Sequence, residues 1–148
     1  MGEQSAVNIG KQHRALYETV ITVNKQAEQA CADAGLDVLL AELVKIRISQ
    51  INGCAFCLRM HTREAIKAGE TTDRLAVVAA WWESQYFTPQ EQAALGLAED
   101  VTNLPVPERA DRDLSSLTDE QVSAITWLAI VMNSWNRIAI RSHYPVGP

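Results

Sequence analysis

Residues 37–69, DVLLAELVKIRISQINGCAFCLRMHTREAIKAG, decide the fold. Asp37 stands where a helix N-cap belongs. From Val38 to Ile51 the apolar residues Leu39, Leu40, Leu43, Val44, Ile46, Ile48 and Ile51 spread around most of a helical circumference, so this helix needs cover on several sides. Asn52-Gly53 then punctuates the chain, and helical character resumes from Cys54 to Ala68 before Gly69. The pair Cys54 and Cys57 therefore falls at the start of a helix.

Outward from this stretch the pattern stays helical. Leu16, Val20, Val23, Ala27 and Ala30 or Cys31 give one buried face to a helix over Lys11–Ala34, with Gly35 as its C-cap. Thr71 and Thr72 can cap a helix carrying Leu75, Val78, Ala79 and Trp82, broken by Glu83 to Phe87. Thr88-Pro89-Gln90-Glu91 predicts a reciprocal capping box opening a helix to about Thr102. Leu104-Pro105-Val106-Pro107 reads as a linker, followed by a short helical turn before Ser115. Thr118-Asp119-Glu120-Gln121 predicts a second capping box, with Ile125, Leu128, Met132, Trp135 and Ile138 along one stripe of the last helix. No alternating β-branched run bounded by hairpin signals is present, so the fold class is all-α, with about six helices.

The 148 residues, 47% of them hydrophobic, suffice for one core and are few for two, so a single domain over residues 1–148 is expected. Lys and Arg number 13 against 18 Asp and Glu, a formal charge of -5 with no basic stripe, which argues against nucleic acid as a partner. The longest apolar run, Leu75 to Trp82, is far short of the ~18 residues of a membrane span. The start, Met1-Gly2-Glu3-Gln4-Ser5-Ala6, carries no export or myristoylation signal, so a cytoplasmic location is the expectation. Three cysteines in such a chain point to reduced or reactive thiols rather than a structural disulfide framework.

Cys54 and Cys57, three apart at a helix start, lie on one face within reach of a disulfide. Free N–H groups and partial positive charge at a helix N-terminus favour thiolate over thiol. His61, four residues after Cys57, can take a thiol proton or pair with the thiolate. For the pair alone, redox chemistry, an inert buried pair and metal binding all stand open. A zinc site would use Cys54, Cys57 and His61 plus a fourth ligand, and no second Cys or His is close in sequence. Cys31, alone on an apolar stripe, reads as a packed small hydrophobe. Glu42 reads on its own as a solvated residue beside Lys45, three positions on. No phosphate loop, flavin fingerprint or haem-attachment motif appears, so no bound cofactor is expected.

The segment from Glu42 to His61, in which Glu, eleven residues, Cys, two residues, Cys, three residues and His follow one another, resembles the core of the alkyl hydroperoxidase D (AhpD)-like branch of the carboxymuconolactone decarboxylase family. Ala65 to Gly69, Trp81-Trp82-Glu83, Phe87 to Leu95 and Asn133-Ser134-Trp135-Asn136-Arg137 carry the likeness on to about Arg141. The resemblance implies an all-helical antioxidant enzyme that reduces hydroperoxides, with Glu42, Cys54, Cys57 and His61 in the proton-relay and redox positions. It implies Cys57 as the peroxide-attacking sulfur, Cys54 as proton donor and resolving thiol, and an external dithiol or thioredoxin-like protein as reductant. It also implies trimers or their multiples, an expectation shared by the unusually apolar helix Val38 to Ile51. One departure is visible: Phe56 stands where the best-known members place a second histidine. The rival readings are a non-enzymatic redox-responsive protein and a decarboxylase-type enzyme; the decarboxylase branch lacks the paired cysteines.

Overall fold

The computed structural model describes residues 6–104 and 112–148. The expected linker prolines and the short helical turn after them fall largely on residues 105–111, outside the described residues. Among the described residues there are seven α-helices and no strand: α1 (Ile9–Gln12), α2 (Arg14–Asp33), α3 (Val38–Asn52), α4 (Ala55–Lys67), α5 (Thr72–Val77), α6 (Pro89–Thr102) and α7 (Asp119–Arg141). A 3-10 segment, Val78–Glu83, continues α5. None of these helices is long and apolar enough to cross a membrane.

α3 is the axis of the structure, packed against α2, α4, α6, α7 and the 3-10 segment. Its apolar circumference serves two cores. Leu40, Val44 and Ile48 join Ala27, Ile125, Leu128 and Met132 on the side of α2 and α7. Leu43 and Ile46 join Ala65, Val78, Trp81, Phe87 and Leu95 on the other side. Leu43 and Ile48 are fully enclosed, and truncating either to Ala costs about 2–5 kcal/mol by lost transfer energy and a residual cavity. The chain thus covers most of α3 by itself and leaves Val38 exposed at its start; the exposed apolar residues of α7 include Trp127 and Ile130.

Local chemistry sets the ends of the helices. Asp37 accepts from Leu39 N–H at 2.7 Å to cap α3, and Thr118 with Gln121 forms the full reciprocal box at α7. At α6 only half of the expected box forms. Thr88 accepts from Glu91 N–H, but the Glu91 carboxylate is engaged by Arg74 Nη2 at 2.8 Å, an ion pair that ties α5 to α6.

Three other expectations need correction. The first helix is interrupted at His13 (φ -126°, ψ 71°), because Asn8 caps a separate turn through Lys11 N–H. Leu16, read as part of the buried face, is exposed on α2. In the fourth helix, non-helical backbone at Ala80 (φ -130°, ψ 37°) shifts the register, so Trp81 is buried and Trp82 is 59% exposed. Trp81 gains a polar partner from this turn: its Nε1 donates to Glu99 Oε1 at 2.9 Å. Glu99 also pairs with Arg47 at 2.9 Å and Arg112 at 3.7 Å, a buried charge cluster joining α3, α6 and the chain before α7.

Candidate active site

The junction between α3 and α4 places the two cysteines. Gly53 adopts φ 67° and ψ 37°, the left-handed conformation that suits glycine at a helix end. Cys54 N–H then donates back to Ser49 O at 3.0 Å, closing α3. Cys54 is the N-cap of α4, and its sulfur accepts from Cys57 N–H at 3.3 Å. The two cysteines are joined as a disulfide with Cα atoms 5.3 Å apart, and both are buried. A sulfur at a helix N-cap takes the place usually held by Ser, Thr or Asp, so the free N–H groups there would stabilise it as a thiolate once reduced.

Behind the junction, Asn52 Nδ2 donates to Asn133 Oδ1 and Asn136 Oδ1, each at 2.9 Å. Asn136, fully buried, donates in turn to Ser49 Oγ at 3.1 Å. This network fastens the end of α3, and with it Cys54, to α7. Part of the Asn133–Arg137 resemblance is therefore structural support for the cysteine turn.

Glu42 is not solvated. It is 6% exposed and lies between two partners: Oε1 accepts from Lys45 Nζ at 3.0 Å, and Oε2 meets His61 Nδ1 at 3.0 Å. Lys45, 5% exposed, also donates to Glu28 Oε1 on α2 at 2.7 Å. Glu64, one turn along α4, places Oε2 3.0 Å from the same His61 nitrogen. Burial is the largest influence on the Glu42 carboxyl and pushes its pKa up, but the His61 hydrogen bond and Lys45 outweigh it and leave the group below its ordinary value. Burial likewise works against the Lys45 ammonium, and Glu42 and Glu28 reverse it, holding its pKa above the ordinary value. Two carboxylates on Nδ1 fix the proton of neutral His61 there, which leaves Nε2 as the basic nitrogen. Nε2 has no hydrogen-bond partner among the described residues.

The structure thus joins Glu42 to His61 across α3 and α4, joins Cys54 to Cys57, and places Cys57 and His61 on the wall of one cavity. Sequence reasoning missed Glu28, Glu64 and the role of Lys45. Glu64 is three residues after His61 and Lys45 three after Glu42, so both had a sequence signal; Glu28 reaches the site only through the packing of α2. Cys31 lies beside this group, and burial pushes its thiol up, with Lys45 opposing and Glu28 adding to the shift. One oxygen or nitrogen from each of Glu42, His61 and Glu64 lies within 4.8 Å of the others, spacing that can surround a cation. Lys45 already supplies positive charge to this cluster, and the cluster differs from the Cys54–Cys57–His61 set weighed for zinc.

A cavity of about 360 Å3 opens onto Cys57 and His61. Glu28, Lys45 and Glu64 line its charged end, while Phe56, Met60, Trp135 and Tyr144 line the remainder. Tyr17 and Trp135 pack edge to face with centroids 5.4 Å apart, and Trp135 Nε1 donates to Asn24 at 3.1 Å, which fixes this wall. The site has a buried disulfide, a held imidazole, and room for an organic molecule beside them.

Comparison with known proteins agrees with this architecture. Residues 15–100, which include α3, α4 and both paired cysteines, match the carboxymuconolactone decarboxylase family, and the chain belongs to that family. It is 45% identical over 103 residues to the uncharacterized protein YdfG of Bacillus subtilis, covering 67% of this chain and 70% of that protein. It is 33% identical over 70 residues to the uncharacterized protein YnjA of Escherichia coli, covering 47% of this chain and 38% of that one. Among solved structures, a protein of unknown function from Agrobacterium tumefaciens, provisionally described as the antioxidant defence protein AhpD, superposes with a TM-score of 0.83 at 29% identity. That match covers 97% of this chain and 100% of the other, so the all-helical AhpD-like fold is shared.

Proposed function

We propose that this protein is a thiol-dependent peroxidase that reduces organic hydroperoxides through a Cys54–Cys57 dithiol cycle. The observation that carries this reading is the disulfide at the start of α4 beside a cavity that also exposes His61, whose Nδ1 is held by Glu42 and Glu64. In the reduced chain, His61 Nε2 takes the Cys57 proton and the thiolate attacks the terminal peroxide oxygen. The O–O bond breaks, the alcohol leaves with a proton returned by the imidazolium, and Cys57 becomes a sulfenic acid. Cys54 then attacks the Cys57 sulfur, water departs, and the disulfide forms. Two electrons from an external dithiol restore both thiols. The N–H bond to the Cys54 sulfur suits its part, because it favours the thiolate needed for the second attack.

The test is hydroperoxide consumption driven by a dithiol, with Cys54→Ser and Cys57→Ser each treated separately with one equivalent of peroxide. Sulfenic acid trapped at Cys57 in Cys54→Ser, with turnover lost in both variants, is the expected result. Trapping only at Cys54, in Cys57→Ser, would reverse the assignment of the two sulfurs. A disulfide that forms without catalytic consumption would favour a non-enzymatic redox-responsive protein. We further propose assembly into trimers or their multiples, as the AhpD resemblance implies; light scattering showing a stable monomer at micromolar concentration would overturn it.

A further inference from the structure

The disulfide borders two cavities. The larger one reaches Cys57, as described above. A second, of about 200 Å3, is lined by Gly53, Cys54 and Ala55 from the turn, with Ile140 from the last turn of α7 and His143 and Val146 beyond it. Phe56, Ala139 and Tyr144 belong to the walls of both cavities. Phe56 and Tyr144 pack edge to face with ring centroids 5.0 Å apart and planes at 75°, so Phe56, one of the two residues between the cysteines in sequence, is half of the partition between the two spaces. Met60 and His61 line the first cavity, and Ile140 and His143 line the second.

The chemistry of disulfide reduction gives this division a meaning. A thiolate that attacks one sulfur expels the other with the bonding electron pair. Attack on Cys57 would leave the incoming sulfur parked on the atom that must meet peroxide. Attack on Cys54 releases Cys57 as a thiolate beside His61, ready for the next turn. Cys54 is 1% exposed, so a broad, flat protein surface cannot bring a sulfur to it, whereas a slender thiol can enter the cavity.

We infer that the disulfide is served from two separate cavities divided by the Phe56–Tyr144 ring pair, a slender dithiol entering against Cys54 and the hydroperoxide against Cys57. The Cys57 half rests on the peroxidase reading above; the Cys54 half takes from that reading the choice of sulfur, while its route of access rests on the second cavity. In the reducing step the incoming thiol, having lost its proton to solvent, bonds to Cys54 as the S–S bond breaks with its electrons on Cys57. The second sulfur of the dithiol, having likewise lost its proton to solvent, then attacks the first and displaces Cys54, leaving a cyclic disulfide as the oxidised product and two cysteine thiolates that take protons from solvent.

Two bulky substitutions at partly exposed positions separate the half-reactions. Ile140→Trp fills only the Cys54 cavity, and Met60→Trp only the Cys57 cavity. The full chain, oxidised with diamide, is reduced by dithiothreitol and its thiol release followed; the reduced chain is oxidised by cumene hydroperoxide and its thiol loss followed. Ile140→Trp is expected to slow reduction about 10-fold with unchanged oxidation, and Met60→Trp to do the reverse, as when an attacking atom is kept from its approach. Val146→Trp repeats the first arm if Ile140→Trp loses its helical circular dichroism. Reduction at the wild-type rate in the blocked variant overturns the Cys54 half alone. A wild-type chain inert to cumene hydroperoxide overturns the Cys57 half together with the peroxidase reading.

Discussion

Two buried glutamates, Glu42 on α3 and Glu99 on α6, are held by cationic side chains. Their surroundings differ in one respect. Glu99 is closed in by Arg47, Arg112 and the Trp81 indole, and it lines neither of the cavities at the cysteines. Glu42 passes its charge through His61 to a cavity wall that also exposes Cys57. A buried, paired carboxylate is therefore no mark of a reactive centre by itself; what separates the two clusters is a titratable group with one face left open to a visitor.

The largest effect is expected at the closed cluster. Glu99→Ala strands Arg47 and the Trp81 N–H in a buried setting and is expected to cost about 3 kcal/mol, the low end for removing one partner of a buried pair. Urea unfolding measures it, and peroxide turnover at a temperature where the variant remains folded should stay within about twofold of wild type, as for a site distant from the chemistry.

At the open cluster the expected order is inverted. Glu42→Gln and His61→Ala should each slow peroxide reduction at least ~10-fold while the helical circular dichroism is retained, as expected for groups that hold or move a proton. Glu42→Gln is the sharper test, because the amide keeps the shape while it loses the charge and one of the two acceptor oxygens. Full activity in that variant would make Glu42 a second Glu99, a structural ion pair and nothing more.

The smallest effect separates the clusters by pH. The folded state holds the Glu42 carboxyl below its ordinary value of 4.5, so its contribution to stability is complete above that value and fades as pH falls through the lower folded one. Lys45 acts at the other extreme: its contribution is complete below 10.5 and is lost as pH rises through the higher folded value. The stability difference between wild type and Glu42→Gln should therefore shrink as pH falls below 4.5 and through the lower folded value. A difference that stays constant across that range would show that the charge of Glu42 does not support the fold.

Much of this architecture was legible because it rests on local rules. The caps at Asp37 and Thr118, the glycine at the end of α3 and the apolar circumference of α3 all follow from neighbouring residues. The cysteine turn was legible for the same reason, since spacing along one helix places Cys57 and His61. What was not legible depends on distant partners. Glu28 is brought to Lys45 by the packing of α2, and Trp81 exchanges places with Trp82 because a turn at Ala80 lets the indole reach Glu99. The α6 capping box was misread because Arg74, seventeen residues upstream of Glu91, competes for its carboxylate.

The Asn52-Gly53 step has a consequence for the protein's durability. In a loose chain such a pair ages quickly: the glycine nitrogen attacks the asparagine side chain, ammonia leaves, and a cyclic imide opens to an acid. Here the Asn52 amide is gripped by Asn133 and Asn136, and the Gly53 N–H is committed to Gln50 O. Both reactants are held in the wrong posture. The clamp that positions the cysteine turn thus also slows its chemical wear, and a carboxylate formed at Asn52 would face the oxygens of two asparagines with no hydrogen left to offer them.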